Sequence, residues 1–206
     1  MNTVVLGRPT CGVVPYSHDL ARLPAFLQQL VMESNGKSVG ADGLEVMHQT
    51  SPVIWGDAGT NGQHAFFQLL HQGTRIVPVD FVGVREPTGT DRAAHDMLVA
   101  NMLGQAAALA LGRPAAAEPH RVFPGNRPST TILMDDLSPA SLGELVAMYE
   151  HSTAVQGWLF GINSFDQFGV ELGKELANAL LPEVTGGAPG PGTPATRAAV
   201  RRYRSP

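Results

Sequence analysis

At 206 residues, 43% hydrophobic and 16% charged, the chain has enough apolar material for one domain with a substantial core and the balance of a soluble globular protein. A formal charge of −4 leaves no basic excess of the kind that marks nucleic-acid binding, and no apolar run approaches the ~18 residues that cross a bilayer. Cys11 is the only cysteine, which excludes an internal disulfide and fits a reducing compartment; the short apolar start is cut off by Gly7, Arg8 and Pro9 and lacks a preceding positive side chain, so no secretory leader is read and a cytoplasmic protein is expected.

Taken in order, Thr3-Val4-Val5-Leu6 reads as a strand remnant stopped by Gly7 and Pro9. His18 to Met32 reads as helix, with Leu23, Phe26, Leu27, Leu30 and Val31 at helical spacing and Pro24 suited to a first turn. Gly36 is expected to stop it in a left-handed conformation, and Gly40 to Thr50 is a mostly polar connection. Pro52-Val53-Ile54-Trp55 then makes a short buried strand that empties into a glycine turn, Gly56, Gly59 and Gly62. Thr60 or Asn61 is expected to cap the following helix, which carries Gln63, His64, Phe66, Phe67, Leu69 and Leu70. Such a strand–glycine–helix unit builds a ligand site at the carboxyl edge of a parallel sheet. Arg75 to Val84 is a further strand, with Pro78 arguing against full ladder pairing at that point. Glu86 to Asp91 is a turn, Ala94 to Leu111 a long helix with Leu98, Met102, Ala106 and Leu109 on one face, and Gly112 to Pro124 a loop. Ser129 to Met134 is a third strand; Ser138 and Pro139 open a helix that continues to about Phe160. Asn163 to Leu181 reads as the last helix. From Pro182 the composition shifts, and the run from Gly186 to Gly192 cannot bury a core, so a disordered tail over 182–206 is expected. Strands alternating with helices predict an α/β fold, a three-layer αβα sandwich around a mostly parallel sheet.

Few residues carry an evident chemistry. Glu33 is a carboxylate at a helix end beside a glycine-containing turn: by pattern a surface acid, as most glutamates are, or a base. His64 follows the last glycine of its turn and is either a helix-start imidazole bonded to backbone or a proton carrier. His64 and His71 are seven apart, with no HExxH motif and no cysteine cluster, so no metal is assigned. Gln167, Glu171 and Lys174 fall at i, i+4 and i+7 on one face of the last helix, opposite Phe165, Leu172, Leu176 and Leu180; a solvated amphipathic helix is the plain alternative. The GDAGTNG loop is neither a Walker loop, since no Lys-Ser/Thr follows, nor GxGxxG, and Asp57 would repel a phosphate; it is read as backbone positioning for His64.

Four runs, LPAFLQQLVMESNGKSV, WGDAGTNGQHAFFQLLHQGT, HRVFPGNRPSTTIL and QGWLFGINSFDQFGVELGK, resemble the glucose-6-phosphate isomerases closely, and the likeness extends from Val13 to about Leu181. The resemblance implies the C-terminal sugar-isomerase-type (SIS) subdomain over 13–181, a divergent segment over 1–12 and the tail after it. Family members are more than twice as long, so a fragment, a truncated product or a split enzyme is expected, with a possible N-terminal half acting in trans. The implied reaction interconverts glucose 6-phosphate and fructose 6-phosphate through an enediol, with no cofactor and no metal. By resemblance Glu33, in MESNGK, moves the proton between C2 and C1; His64 and Lys174 open the sugar ring; Gln167 and Gln29 contact substrate. The family histidine serves the neighbouring subunit's site, which implies a homodimer. The chain departs from the family at Val31, where an acid usually stands two residues before the base. The family's phosphate-binding Ser/Thr loops and the arginine that steadies the enediolate belong to the N-terminal half. A sugar-phosphate-binding or assembly module without turnover is the alternative. No nucleic-acid or membrane partner is expected.

Overall fold

The computed structural model describes residues 1–89, 91–114 and 118–205. Thr90 in the expected turn, residues 115–117 in the expected loop and the last residue of the tail lie outside the described residues. The chain divides into two compact units, Met1–Ser164 and Phe165–Pro206. This boundary lies between the divisions that the sequence pattern places after 12 and after 181.

The first unit is built on four parallel strands, β1 (Thr10–Pro15), β2 (Val53–Trp55), β3 (Val79–Val84) and β4 (Ser129–Met134), in the order β2-β1-β3-β4. The helices are α1 (Leu23–Leu27), α2 (Gly59–Ala65), α3 (Phe67–Gln72), α4 (Arg92–Leu111) and α5 (Pro139–Phe160). Side chains alternate across the sheet, and the alternation defines two cores. On one face Val13, Ile54 and Val82 meet Leu23, Leu27, Val31 and Leu145. On the other, Val14, Val79 and Phe81 meet Phe67, Leu70, Met102 and Leu109, with Leu98 and Ala106 packed against them. Thus α1 and α5 cover one face while α2, α3 and α4 cover the other, giving the three-layer α/β architecture.

Sequence rules explain most element ends. β3 starts at Val79 because Pro78 has no N–H to give the ladder; its carbonyl instead accepts from the Gly12 N–H at 2.9 Å. Asp91 caps α4 by accepting from the Ala94 N–H at 2.9 Å, and Ser138 caps α5 by accepting from the Ser141 N–H at 3.3 Å.

Several expectations are corrected. Thr3–Leu6 forms a hydrogen-bonded turn, Val5 N–H to the Met1 carbonyl at 3.0 Å, and the strand lies at Thr10–Pro15 instead. The two runs have similar β propensity; only the second finds neighbours on both sides, and strand preference follows such context. Residues 10–12 therefore belong to the central strand of the sheet rather than to an appendage. Gly36 does not adopt a left-handed conformation; a Cβ there would instead collide with the Met32 carbonyl oxygen. Neither Thr60 nor Asn61 caps α2, which begins at Gly59 after Ala58 with no side-chain cap. Close approach explains the glycines of this turn: a Cβ at Gly59 would enter the Tyr16 ring, and one at Gly62 would meet the Phe66 ring.

In the second unit α6 spans Glu171–Val184 and passes through Pro182, and α7 spans Pro194–Arg204. The expected disordered tail therefore contains a helix. Thr193 caps it by accepting from the Thr196 N–H at 3.2 Å, and its alanines and arginines are strong helix formers. The Gly/Pro-rich composition is confined to the connection between α6 and α7.

Candidate active site

Beyond Leu27 the first helix widens into a π-helix, Gln28–Glu33, a conformation that recurs at functional sites. Glu33 is its last residue and is half-buried; Gln29 is exposed one turn earlier and faces the same side. The carbonyls at this end are bonded by side chains as well as by backbone, the Val31 carbonyl accepting also from the Ser34 N–H. Ser51 Oγ donates to the Val31 carbonyl at 3.3 Å, and Lys37 Nζ donates to the carbonyls of Glu33 at 2.6 Å and Ser34 at 2.9 Å. Asn35 follows immediately and is wholly buried. Its Nδ2 donates to the Thr153 carbonyl at 2.9 Å and its Oδ1 accepts from Ser164 Oγ at 2.7 Å.

The helix bearing Glu33 leaves the carboxyl end of β1 and returns along the sheet. Its last turn lies toward the amino edge, where Ser51, just ahead of β2, bonds to it. Glu33 therefore lies away from the carboxyl edge, where the strand–glycine–helix unit after β2 opens. A helix that follows a parallel strand must run back before the next strand can start, so a residue at its C-terminus ends up at the opposite edge from its N-terminus.

His64 sits exposed on α2, on the other face of the sheet. Its neighbour Gln63 accepts from the Tyr16 hydroxyl at 3.5 Å. Glu33 and His64 are thus on helices of different layers. His71 has a packing role: it is buried, 2.8 Å from Gln105 Oε1 and in ring contact with Phe67 and Phe123. Among the described residues no three His, Cys, Asp or Glu side chains are grouped to hold a metal.

Gln167 and Lys174 belong to the second unit, and both are exposed. The expected single helix with Gln167, Glu171 and Lys174 on one face is not present. Gln167 precedes a short 3-10 turn, Phe168–Val170, and only Glu171 and Lys174 lie on α6.

Sequence reading also missed a half-buried polar cluster on the Glu33 face. Asp80 of β3 accepts from the Tyr149 hydroxyl of α5 at 3.2 Å. Burial pushes the Asp80 carboxyl above its ordinary range, opposed by hydrogen bonds from Tyr149 and Thr130. Burial, then the Asp80 charge, pushes the Cys11 thiol up to about 12, and the same two causes raise the Tyr149 phenol. A lone aspartate in the apolar run VPVDFVGV was the available signal.

The family model described as phosphoglucose isomerase matches residues 1–193. The chain is 54% identical to glucose-6-phosphate isomerase of Methylocella silvestris over 89% of its own length and 37% of that relative. It is 53% identical to the enzyme of the same name from Roseiflexus castenholzii over 97% and 39%. Among solved structures, a glucose-6-phosphate isomerase from Chlamydia trachomatis superposes with a TM-score of 0.84 and 46% identity, covering 98% of this chain and 39% of that one. A hypothetical protein from Thermus thermophilus gives 0.64 at 25% identity over 85% and 42%. The chain spans only about two fifths of the length of the relatives it matches.

Proposed function

Because this chain belongs to the phosphoglucose isomerase family, we propose that it carries the proton-transfer and ring-opening residues for interconversion of glucose 6-phosphate and fructose 6-phosphate. Glu33 takes the proton α to the carbonyl and returns it to the neighbouring carbon of the enediol. His64 and Lys174 exchange the protons that open the ring, an imidazole being suited to give and accept near neutrality. Gln29, on the side of Glu33, and Gln167 orient the sugar. The cycle is closed in protons and electrons, so it calls for no redox cofactor.

The observation that carries this reading is the opposition of Glu33 and His64 across the sheet. Acid–base chemistry requires the two within reach of one sugar. A homodimer in which each His64 serves the partner's Glu33 meets that requirement. The single, half-buried Cys11 accords with a reducing compartment, the cytoplasm. Among the described residues no helix is long and apolar enough to cross a membrane.

Coverage of about two fifths of the relatives favours one alternative, a sugar-phosphate-binding or assembly module without turnover. Phosphate binding energy holds the sugar over the base, and a base with no positioned substrate achieves little. A coupled assay of fructose 6-phosphate conversion separates the two, using this chain alone and this chain supplemented with the remaining portion of a relative. Turnover in the supplemented sample that Glu33→Gln abolishes supports the isomerase; none in a physically associated complex overturns it in favour of the module.

A further inference from the structure

We infer that the buried Asn35 amide, held between Ser164 Oγ and the Thr153 carbonyl, is a positioning residue that fixes the direction of the Glu33 carboxylate. This rests on the reading of Glu33 as the base. The bonds are long-range: Thr153 is 118 residues away in sequence and Ser164 is 129. Both ends of the amide are engaged, and the direction is forced, since the Thr153 carbonyl can only accept and must face Nδ2. A side chain with 0% exposure that served only to fill space would be apolar. A satisfied amide is used where direction matters, because its bonds set orientation as well as distance.

The surroundings are shaped for this amide. A Cβ at Gly157 would run into Ser164 Oγ and lie 3.1 Å from Asn35 Oδ1, so the glycine of α5 makes room for the pair. Only Ser34 separates Asn35 from Glu33, and Lys37 ties down the carbonyls of both Glu33 and Ser34. The anchor therefore reaches the Glu33 backbone with little slack. It also holds a turn that would otherwise relax. A π-helix is rare and persists mostly as a single turn, and relaxation of Gln28–Glu33 to α geometry would swing Glu33 around the helix axis. Neither the π-turn nor the long-range bonds leave a trace in hydrophobic periodicity.

Two arms test the inference on Ser164→Ala, which removes one bond, and on Asn35→Asp, which keeps the shape but sets an oxygen against the Thr153 carbonyl. In the first arm, amide hydrogen exchange is followed in the chain alone. Protection over 28–37 is expected to fall about tenfold, with β1 and β3 amides unchanged, as for local rather than global opening. Unchanged protection, or an equal loss throughout the sheet, overturns it. In the second arm, with the rest of the family fold supplied, kcat is expected to fall about 10- to 100-fold with KM nearly constant, the result of a small misplacement of the base. An unchanged kcat overturns the inference, as does a fall matched by loss of the folded fraction. If Glu33→Gln leaves turnover intact, the reading of Glu33 as the base fails and the inference falls with it, whereas a failure of the clamp alone leaves Glu33→Gln inactive. If no sample turns over, the exchange arm decides whether the clamp exists.

Discussion

The two faces of the sheet are built differently. The face carrying Glu33 is stitched by polar groups, the buried Asn35 with Ser164 and Thr153, and the half-buried Asp80 with Tyr149. The face carrying His64 is held by rings: Trp55 and Phe66 meet edge to face at 4.9 Å, Phe66 stacks on Phe67 at 5.6 Å, and Tyr16 and Phe67 both lean on Phe81. Polar bonds fix direction, whereas aromatic packing fixes volume and leaves an exposed histidine able to address a second molecule. The contrast suits the proposed roles, Glu33 as a base aimed from within its own chain and His64 as an imidazole offered outward.

The largest effect is expected at the chemistry. With the rest of the family fold supplied, Glu33→Gln should lower kcat by roughly 10²–10⁴-fold, and His64→Ala should also impair turnover. Mixing and re-equilibrating the two inactive variants should restore about a quarter of the wild-type rate, because half the two-fold dimers are mixed and each mixed dimer holds one intact site. No recovery on mixing would break the comparison, since both residues would then act within one copy.

Stability should divide along the same line. Phe81 is fully buried among rings, and Phe81→Ala should cost about 3–5 kcal/mol of global stability in urea unfolding. Amide exchange should rise throughout the sheet rather than selectively near Glu33. A smaller loss, about 1–3 kcal/mol, is expected for Gly157→Ala, whose new methyl meets Ser164 Oγ. Its signature is coupling: in a Ser164→Ala background the loss should shrink, because the obstructing oxygen is gone. Strict additivity would mean that the glycine is required for some other reason.

The aromatic face is the more legible of the two in the sequence. Leu98, Met102, Ala106 and Leu109 announce the inner side of α4 by their spacing; on the Glu33 face the clearest signal is the start of α5 at Ser138–Pro139. β4 is readable to the residue because STTILM centres on three consecutive β-branched residues, Thr130, Thr131 and Ile132. The central strand is not, since TVVL and CGVV look alike until one of them is paired. At the site, the types of residue are legible and their arrangement is not. The π-turn under Glu33, the 3-10 turn that takes Gln167 off the helix and the amide bridge from Asn35 to Ser164 arise from tertiary contacts, to which periodicity is blind. The helix at Pro194–Arg204 is hidden by the Gly/Pro run ahead of it, whose composition says nothing of the residues that follow.

The smallest expected effect concerns pH and sharpens the claim that the Glu33 face is the polar one. Burial raises the Asp80 carboxyl above its ordinary 3.8. An acid raised in the folded state binds its proton more tightly there than in the unfolded chain. Its contribution to stability is therefore full below the unfolded value and is lost as the pH rises through the folded one. The ionisable groups that face it are Cys11 from β1 and Tyr149 from α5, both pushed up and neutral across this window, so Asp80 alone of the three titrates. Asp80→Asn keeps an oxygen to accept from Tyr149 and removes the titration. In urea unfolding from pH 4 to pH 7, wild type should lose stability relative to Asp80→Asn as the pH rises. Contributions from all other carboxylates cancel in this difference. Parallel curves would mean that Asp80 ionises in the fold as readily as in water, and the Glu33 face would then be wetter than its hydrogen bonds imply.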